Sequence, residues 1–160
     1  MKIAIAQINT TVGDIEGNTE RILAHIAGAK RQGAALCLFP ELAVPGYPPR
    51  DLLEIPSFIA ANEAAMRRVA KAARGIGVIC GYVSRNRAKI GRPLYNTAAL
   101  LVEGAVRHLQ HKTLLPNYDV FDEVRHVGGN TRQINPKCRT LARRARHGDV
   151  AAALLHDAVD

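Results

Sequence analysis

LCLFPELAVPGYPPRDLL, Leu36 to Leu53, is the stretch from which the rest of the chain can be read. The run that ends in it, AALCLF, is apolar at every position rather than at every second one, as in a strand covered on both faces of an α/β sheet. Pro40 closes the strand, because proline has no N–H for the ladder. A carboxylate follows at once, Glu41, and then a loop holding Pro45, Gly46, Pro48 and Pro49. In open α/β sheets, functional groups collect beyond the carboxyl ends of the strands. Glu41 is therefore a candidate for chemistry. The plainer alternatives are a loop carboxylate or a cap for a short helix near Asp51.

Outward from this stretch the pattern is regular. Residues 2–8 form a short apolar run and read as a strand. The glycines and Asp14 of TTVGDIEGN break it. Ile15, Thr19, Ile22, Ile26 and Ala29 then recur at spacings of one helical face, with Asn18 as the expected N-cap and Gly33 as the stop. Beyond the proline loop, Pro56-Ser57 opens a second helix with Ser57 as its expected cap. Ile59, Met66, Val69 and Ala73 mark its inner face, and Gly75 and Gly77 end it. GVICGYVSR reads as a strand, RNRAKIGRP as a polar hairpin loop, and LYNTAALLVEGAVRHLQHK as two strands around Glu103-Gly104. The order is βαβ, loop, αβββ: an α/β fold with an antiparallel part.

The character changes near Val127. From Gly128 onward six Lys or Arg stand against three Asp, with no Glu and no aromatic residue. The expected organisation is one domain over residues 1–127 and a divergent, basic tail over 128–160, disordered or loosely helical.

Composition narrows the function classes. The 160 residues are 48% hydrophobic and 4% aromatic, with no Trp, so the core rests on Ala, Ile, Leu and Val. The formal net charge of +8 admits an acidic partner. However, finger spacings, RNP patterns and basic heptads are missing, and nucleic acid is not the expected partner. Three widely spaced cysteines make neither a disulfide framework nor a zinc set. The histidines show no H-E-x-x-H or H-x-H pairing, so no metal is expected. No phosphate-cradling glycine motif and no apolar run of membrane length occurs. No membrane association is expected, and a cytoplasmic location is the default.

Beside Glu41, a second candidate lies in HKTLLPNYDVFDE, His111 to Glu123. Lys112 directly follows an apolar strand, where it could orient Glu41 or stabilise an oxyanion; otherwise it is a solvated strand-end lysine. The thiols form the third. Cys37 and Cys80 sit within apolar strands, where cysteines are usually inert. Cys138 has Lys137 and Arg139 beside it, which favours thiolate, yet it lies in the irregular tail.

Taken together, KIAIAQINTTVGDIEGN, LCLFPELAVPGYPPRDLL and HKTLLPNYDVFDEVR resemble the nitrilase, or carbon–nitrogen hydrolase, superfamily. GYPPRDLL and LPNYDVFDE are most similar to the glutaminase domains of glutamine-dependent NAD synthetases. The resemblance covers about residues 1 to 126. It implies an αββα sandwich and a Glu-Lys-Cys triad. In it Glu41 would be the general base that takes the thiol proton, and Lys112 would stabilise the oxyanion and hold the carboxylate. A cysteine would attack the glutamine side-chain amide, release ammonia and leave a thioester for water to cleave. The ammonia would serve ATP-dependent NAD synthesis from deamido-NAD. Tyr47, Tyr118 and Glu123 would line the glutamine pocket. The family commonly forms homo-oligomers.

One part of the family pattern is not met. The resemblance implies a nucleophile in a Cys-Glu-Asp segment ending a later strand, and no such run occurs. Arg139-Thr140 follow Cys138, so the nucleophile role is not carried onto it. The tail reads as foreign sequence. The expectation is a truncated chain, weakly active or inactive, incomplete at the C-terminal side of the sandwich. It would lack the synthetase domain that binds ATP and deamido-NAD, and so hold no cofactor of its own. The alternatives are another amidase or nitrilase of the superfamily, and a non-catalytic remnant that only oligomerises.

Overall fold

The computed structural model describes residues 1–88, 90–113 and 127–128, all within the unit Met1–Gly129. The elements follow in the expected order: β1 (Ile3–Ile5), α1 (Ile15–Arg31), β2 (Leu36–Leu38), a 3-10 turn (Arg50–Glu54), α2 (Pro56–Ala72), β3 (Gly77–Arg85), β4 (Leu94–Val102) and β5 (Ala105–His111). The strands form one sheet in the order β1-β2-β3-β4-β5. The first three are parallel, each joined to the next through a helix, and the last three are antiparallel. That division follows from the connections, since parallel neighbours need a crossover and antiparallel ones need only a turn. Glu103 and Gly104 make the β4–β5 turn with φ of 51° and 79°, the left-handed pair that a two-residue type I′ hairpin requires.

Both helix starts differ from expectation. In α1 the cap is Asp14, whose Oδ1 accepts from the Gly17 N–H at 2.9 Å. Asn18 is instead fully buried inside the helix. It donates to the carbonyls of Thr11 at 2.8 Å and Val44 at 3.1 Å, and accepts from the Thr11 N–H at 2.9 Å. The helix begins one turn earlier because Asp14 satisfies its first free donors, leaving the Asn18 amide for long-range work. In α2 the cap position is Ile55, which makes no side-chain bond, and Pro56 follows at the start of the helix. Proline lacks a donor there anyway, so Ser57 is not needed as a cap.

One face of the sheet is covered. Cys37, Val78, Cys80, Ala99 and Leu101 pack against Ile22 and Ile26 of α1 and Ala65, Met66 and Val69 of α2. All the expected inner-face residues of both helices are buried. A second cluster joins Leu42, Leu53, Ile59, Val83, Leu94 and Val127 beneath the proline loop. On the other face Ile5 stays 72% exposed, and Ala98 and Gln110 are open as well. The described residues thus supply one α layer and one β layer of the expected αββα sandwich. The double coverage expected around Cys37 holds for Leu36, which is buried, and only in part for Leu38.

Candidate active site

Glu41 stands where β2 gives out. The Phe39 N–H still donates to the Ile79 carbonyl at 2.9 Å. Pro40 then ends the pairing and the chain turns. The turn lies directly on β3. A Cβ at Gly81 would stand 2.5 Å from the Leu42 nitrogen and 2.7 Å from the Pro40 oxygen, so only glycine lets the two backbones meet. Three further contacts hold the loop. The Val44 N–H donates to the Gly81 carbonyl at 3.3 Å, the Gly13 N–H donates to the Pro45 carbonyl at 2.9 Å, and Asn18 binds the Val44 carbonyl. Leu42 takes a left-handed φ of 47°, and its buried side chain in the second cluster offsets that strain.

Lys112 arrives from the other side of the sheet. β4 and β5 are in register at Thr97 and His111, and the ladder runs one step further through the Lys112 N–H to the Asn96 carbonyl at 2.8 Å. On the open face, Lys112 Nζ donates to Glu41 Oε1 at 2.8 Å. Asn96 Nδ2 donates to the same oxygen at 2.6 Å. The two residues that sequence reading singled out, 71 positions apart, therefore meet. They meet beside a third, Asn96, that it did not single out. The signal for Asn96 was an amide inside a mostly apolar strand, where Asn is disfavoured.

On the opposite face of the same strands, Ser84, Thr97 and His111 form a second chain. The Ser84 and Thr97 hydroxyls are 2.7 Å apart, and Thr97 Oγ1 is 2.8 Å from His111 Nδ1. Tyr95 stacks on the His111 ring with centroids 4.4 Å apart. Burial, helped by the neighbouring His108, holds the His111 imidazole below the usual histidine range. The two chains alternate across the sheet and tie β4 to β5 at the point where Lys112 leaves it.

Glu41, Asn96 and Lys112 line an open cavity of about 360 Å³ with Phe39, Ile79, Gly81, Ala98 and Gln110. An ionised carboxylate with an ammonium and an amide fixed on one oxygen can take a proton on the other. The ammonium beside it can stabilise negative charge developing on a substrate oxygen.

Neither described thiol belongs to this cavity. Cys37 and Cys80 are buried on the helix-covered face. Burial raises both thiols, with Cys37 adding to the effect at Cys80, which is pushed up to about 12. Tyr47 packs half-buried against the second cluster rather than lining the cavity. Tyr118, Glu123 and Cys138 lie outside the described residues. Among the described residues no group of His, Cys, Asp and Glu could hold a metal ion, and no helix is long and apolar enough to cross a membrane.

The carbon–nitrogen hydrolase family model matches residues 2–137. Among curated proteins, the glutamine-dependent NAD(+) synthetase of Xanthomonas campestris pv. campestris (strain 8004) is 44% identical over 127 residues, covering 79% of this chain and 22% of that one. Among solved structures, a glutamine-dependent NAD(+) synthetase from Cytophaga hutchinsonii superposes with a TM-score of 0.75 at 28% identity, over 82% of this chain and 22% of that one. A mutant of the amidase from Nesterenkonia sp. AN1, with acrylamide added at the active site cysteine, gives a TM-score of 0.65 at 26% identity, over 82% of this chain and 50% of that one. The chain thus spans about a fifth of the length of the curated relatives it matches.

Proposed function

Because the chain belongs to the carbon–nitrogen hydrolase family, we propose that Glu41 and Lys112 are the base and the oxyanion-stabilising residues of a glutaminase site. The observation that carries this reading is the contact of Lys112 Nζ with Glu41 Oε1 at 2.8 Å, made in the cavity at the end of β2. Glu41 takes the proton of a thiol nucleophile. The thiolate attacks the glutamine side-chain amide, and Lys112 meets the charge that develops on the amide oxygen. Ammonia leaves and water cleaves the thioester. Tyr118 and Glu123 are proposed contributors to the glutamine pocket. The names of the relatives support glutamine as the amide substrate and NAD synthesis as the use of the ammonia; deamido-NAD as the acceptor of that ammonia is part of the same proposal.

The likeness to the amidase favours a second reading, hydrolysis of another small amide. Among the solved structures the NAD synthetase superposes better, with a TM-score of 0.75 against 0.65, and this ranks glutamine first.

Neither Cys37 nor Cys80 can reach Glu41 from the covered face, and the Cys-Glu-Asp segment is missing from the sequence. The chain alone is therefore expected to hydrolyse glutamine weakly or not at all. Two measurements test the reading. Added L-glutamine should move the NMR resonances of Asn96 and Gln110, and any residual ammonia release should fall to background in Glu41→Gln and Lys112→Ala. Glutamine that leaves the cavity resonances unmoved, or turnover indifferent to both substitutions, would sink it. Turnover abolished by Cys138→Ala would restore the nucleophile role to that residue.

A further inference from the structure

We propose that Asn96 is a positioning residue that decides which oxygen of Glu41 acts as the base; this rests on the reading of Glu41 as the proton acceptor of the site. Asn96 is 3% exposed, and its side chain approaches Glu41 Oε1 at 2.6 Å. An ionised carboxylate offers only acceptors, so the atom facing it must be the amide nitrogen, donating. Lys112 Nζ donates to the same oxygen at 2.8 Å. A carboxylate oxygen has two lone-pair sites, and at Oε1 both are engaged. Oε2 has no partner among the described residues. The proton leaving the nucleophile must therefore form its new O–H bond at Oε2, as the S–H bond breaks and the electron pair stays on sulfur.

Lys112 alone does not impose this choice. An ammonium on a flexible stem can sit astride either oxygen, and the exposed Glu41 side chain, open over 48% of its surface, can turn beneath it. The amide differs in being fixed. Asn96 sits within β4, pairs with Val83 across the sheet, and accepts the Lys112 N–H on its own carbonyl. One residue thus anchors both ends of the Glu41–Lys112 pair, the carboxylate through its side chain and the lysine through its backbone.

The decisive substitution is Asn96→Asp in the full chain, because it keeps size and shape and replaces the donor by a second acceptor. A role in packing alone would survive it. Residual glutamine turnover in Asn96→Asp and Asn96→Ala is expected to fall about a hundredfold in kcat with KM little changed, the size of effect that follows misplacement of a reacting group. A second readout does not depend on turnover. One Asn96 side-chain amide proton should resonate downfield in the unsubstituted chain and move upfield in Glu41→Gln, where a neutral amide replaces the carboxylate.

An amide resonance that ignores Glu41→Gln, or an Asn96→Asp chain whose measurable ammonia release equals that of the original, would overturn the assignment. A resonance that moves while no form of the chain releases ammonia upholds the hold of Asn96 on Glu41. The glutaminase reading fails separately, where added L-glutamine leaves the Asn96 and Gln110 resonances unmoved.

Discussion

Glu41 depends on a residue with no side chain. Gly81 leaves room for the Pro40–Leu42 turn, and a methyl group there would collide with backbone on both sides of Glu41. Gly81→Ala is expected to destabilise the chain by about 1–3 kcal/mol, as overpacking does, and to shift the Asn96 side-chain resonances; thermal unfolding and an NMR spectrum read both. The thiols give a second prediction at this scale. Cys37 and Cys80 are 1% and 0% exposed, and burial keeps them protonated. Both should resist alkylation by iodoacetamide at pH 8 in the folded chain and react once it is denatured, with mass spectrometry locating the label. Labelling of either in the folded chain would reopen its place as nucleophile.

Among the elements, the helix caps and the β4–β5 register make the difference. Asp14→Ala removes the only side-chain cap found on either helix and should cost about 1 kcal/mol. Ser57→Ala, at the position where sequence rules expect a cap, should stay within about 0.5 kcal/mol. Denaturant titration separates the two. The Ser84–Thr97–His111 chain makes stability depend on pH. His111 is held below its ordinary value, first by burial and then by His108, so the unfolded chain binds the proton more readily. Stability should fall as pH drops below about 6.5, level off below the folded-state value, and show no His111 contribution above about 6.5. His111→Gln should flatten that slope, and an unchanged slope would remove His111 as its source.

For the molecule as a whole, the helices cover one face of the sheet and leave Ile3 and Ile5 of the edge strand β1 exposed at 37% and 72%. Apolar side chains beside a strand edge that is unpaired among the described residues favour association. The apparent mass in sedimentation should rise with concentration, and Ile5→Lys should reduce that rise. Much of this architecture was legible in the sequence, because it is written in local spacing. The helical faces of α1 and α2 repeat at helical period, GVICGYVSR and the Glu103-Gly104 hairpin follow local propensity, and proline ends β2. Glu41 and Lys112 could be picked out as strand-end charges and matched to a family. The caps were misread because Asp14, Asn18 and Ser57 all suit a helix start, and the choice among them falls to long-range partners such as Val44. Asn96 went unnoticed for the same reason: its meaning lies 55 residues away, at Glu41 Oε1. By itself the sequence determined the order of the elements and the family, since both rest on neighbours along the chain. Only the tertiary structure decided that Glu41, Asn96 and Lys112 share one oxygen, and that Cys37 and Cys80 face away from it, because strand register and sheet face are settled by pairing across the fold.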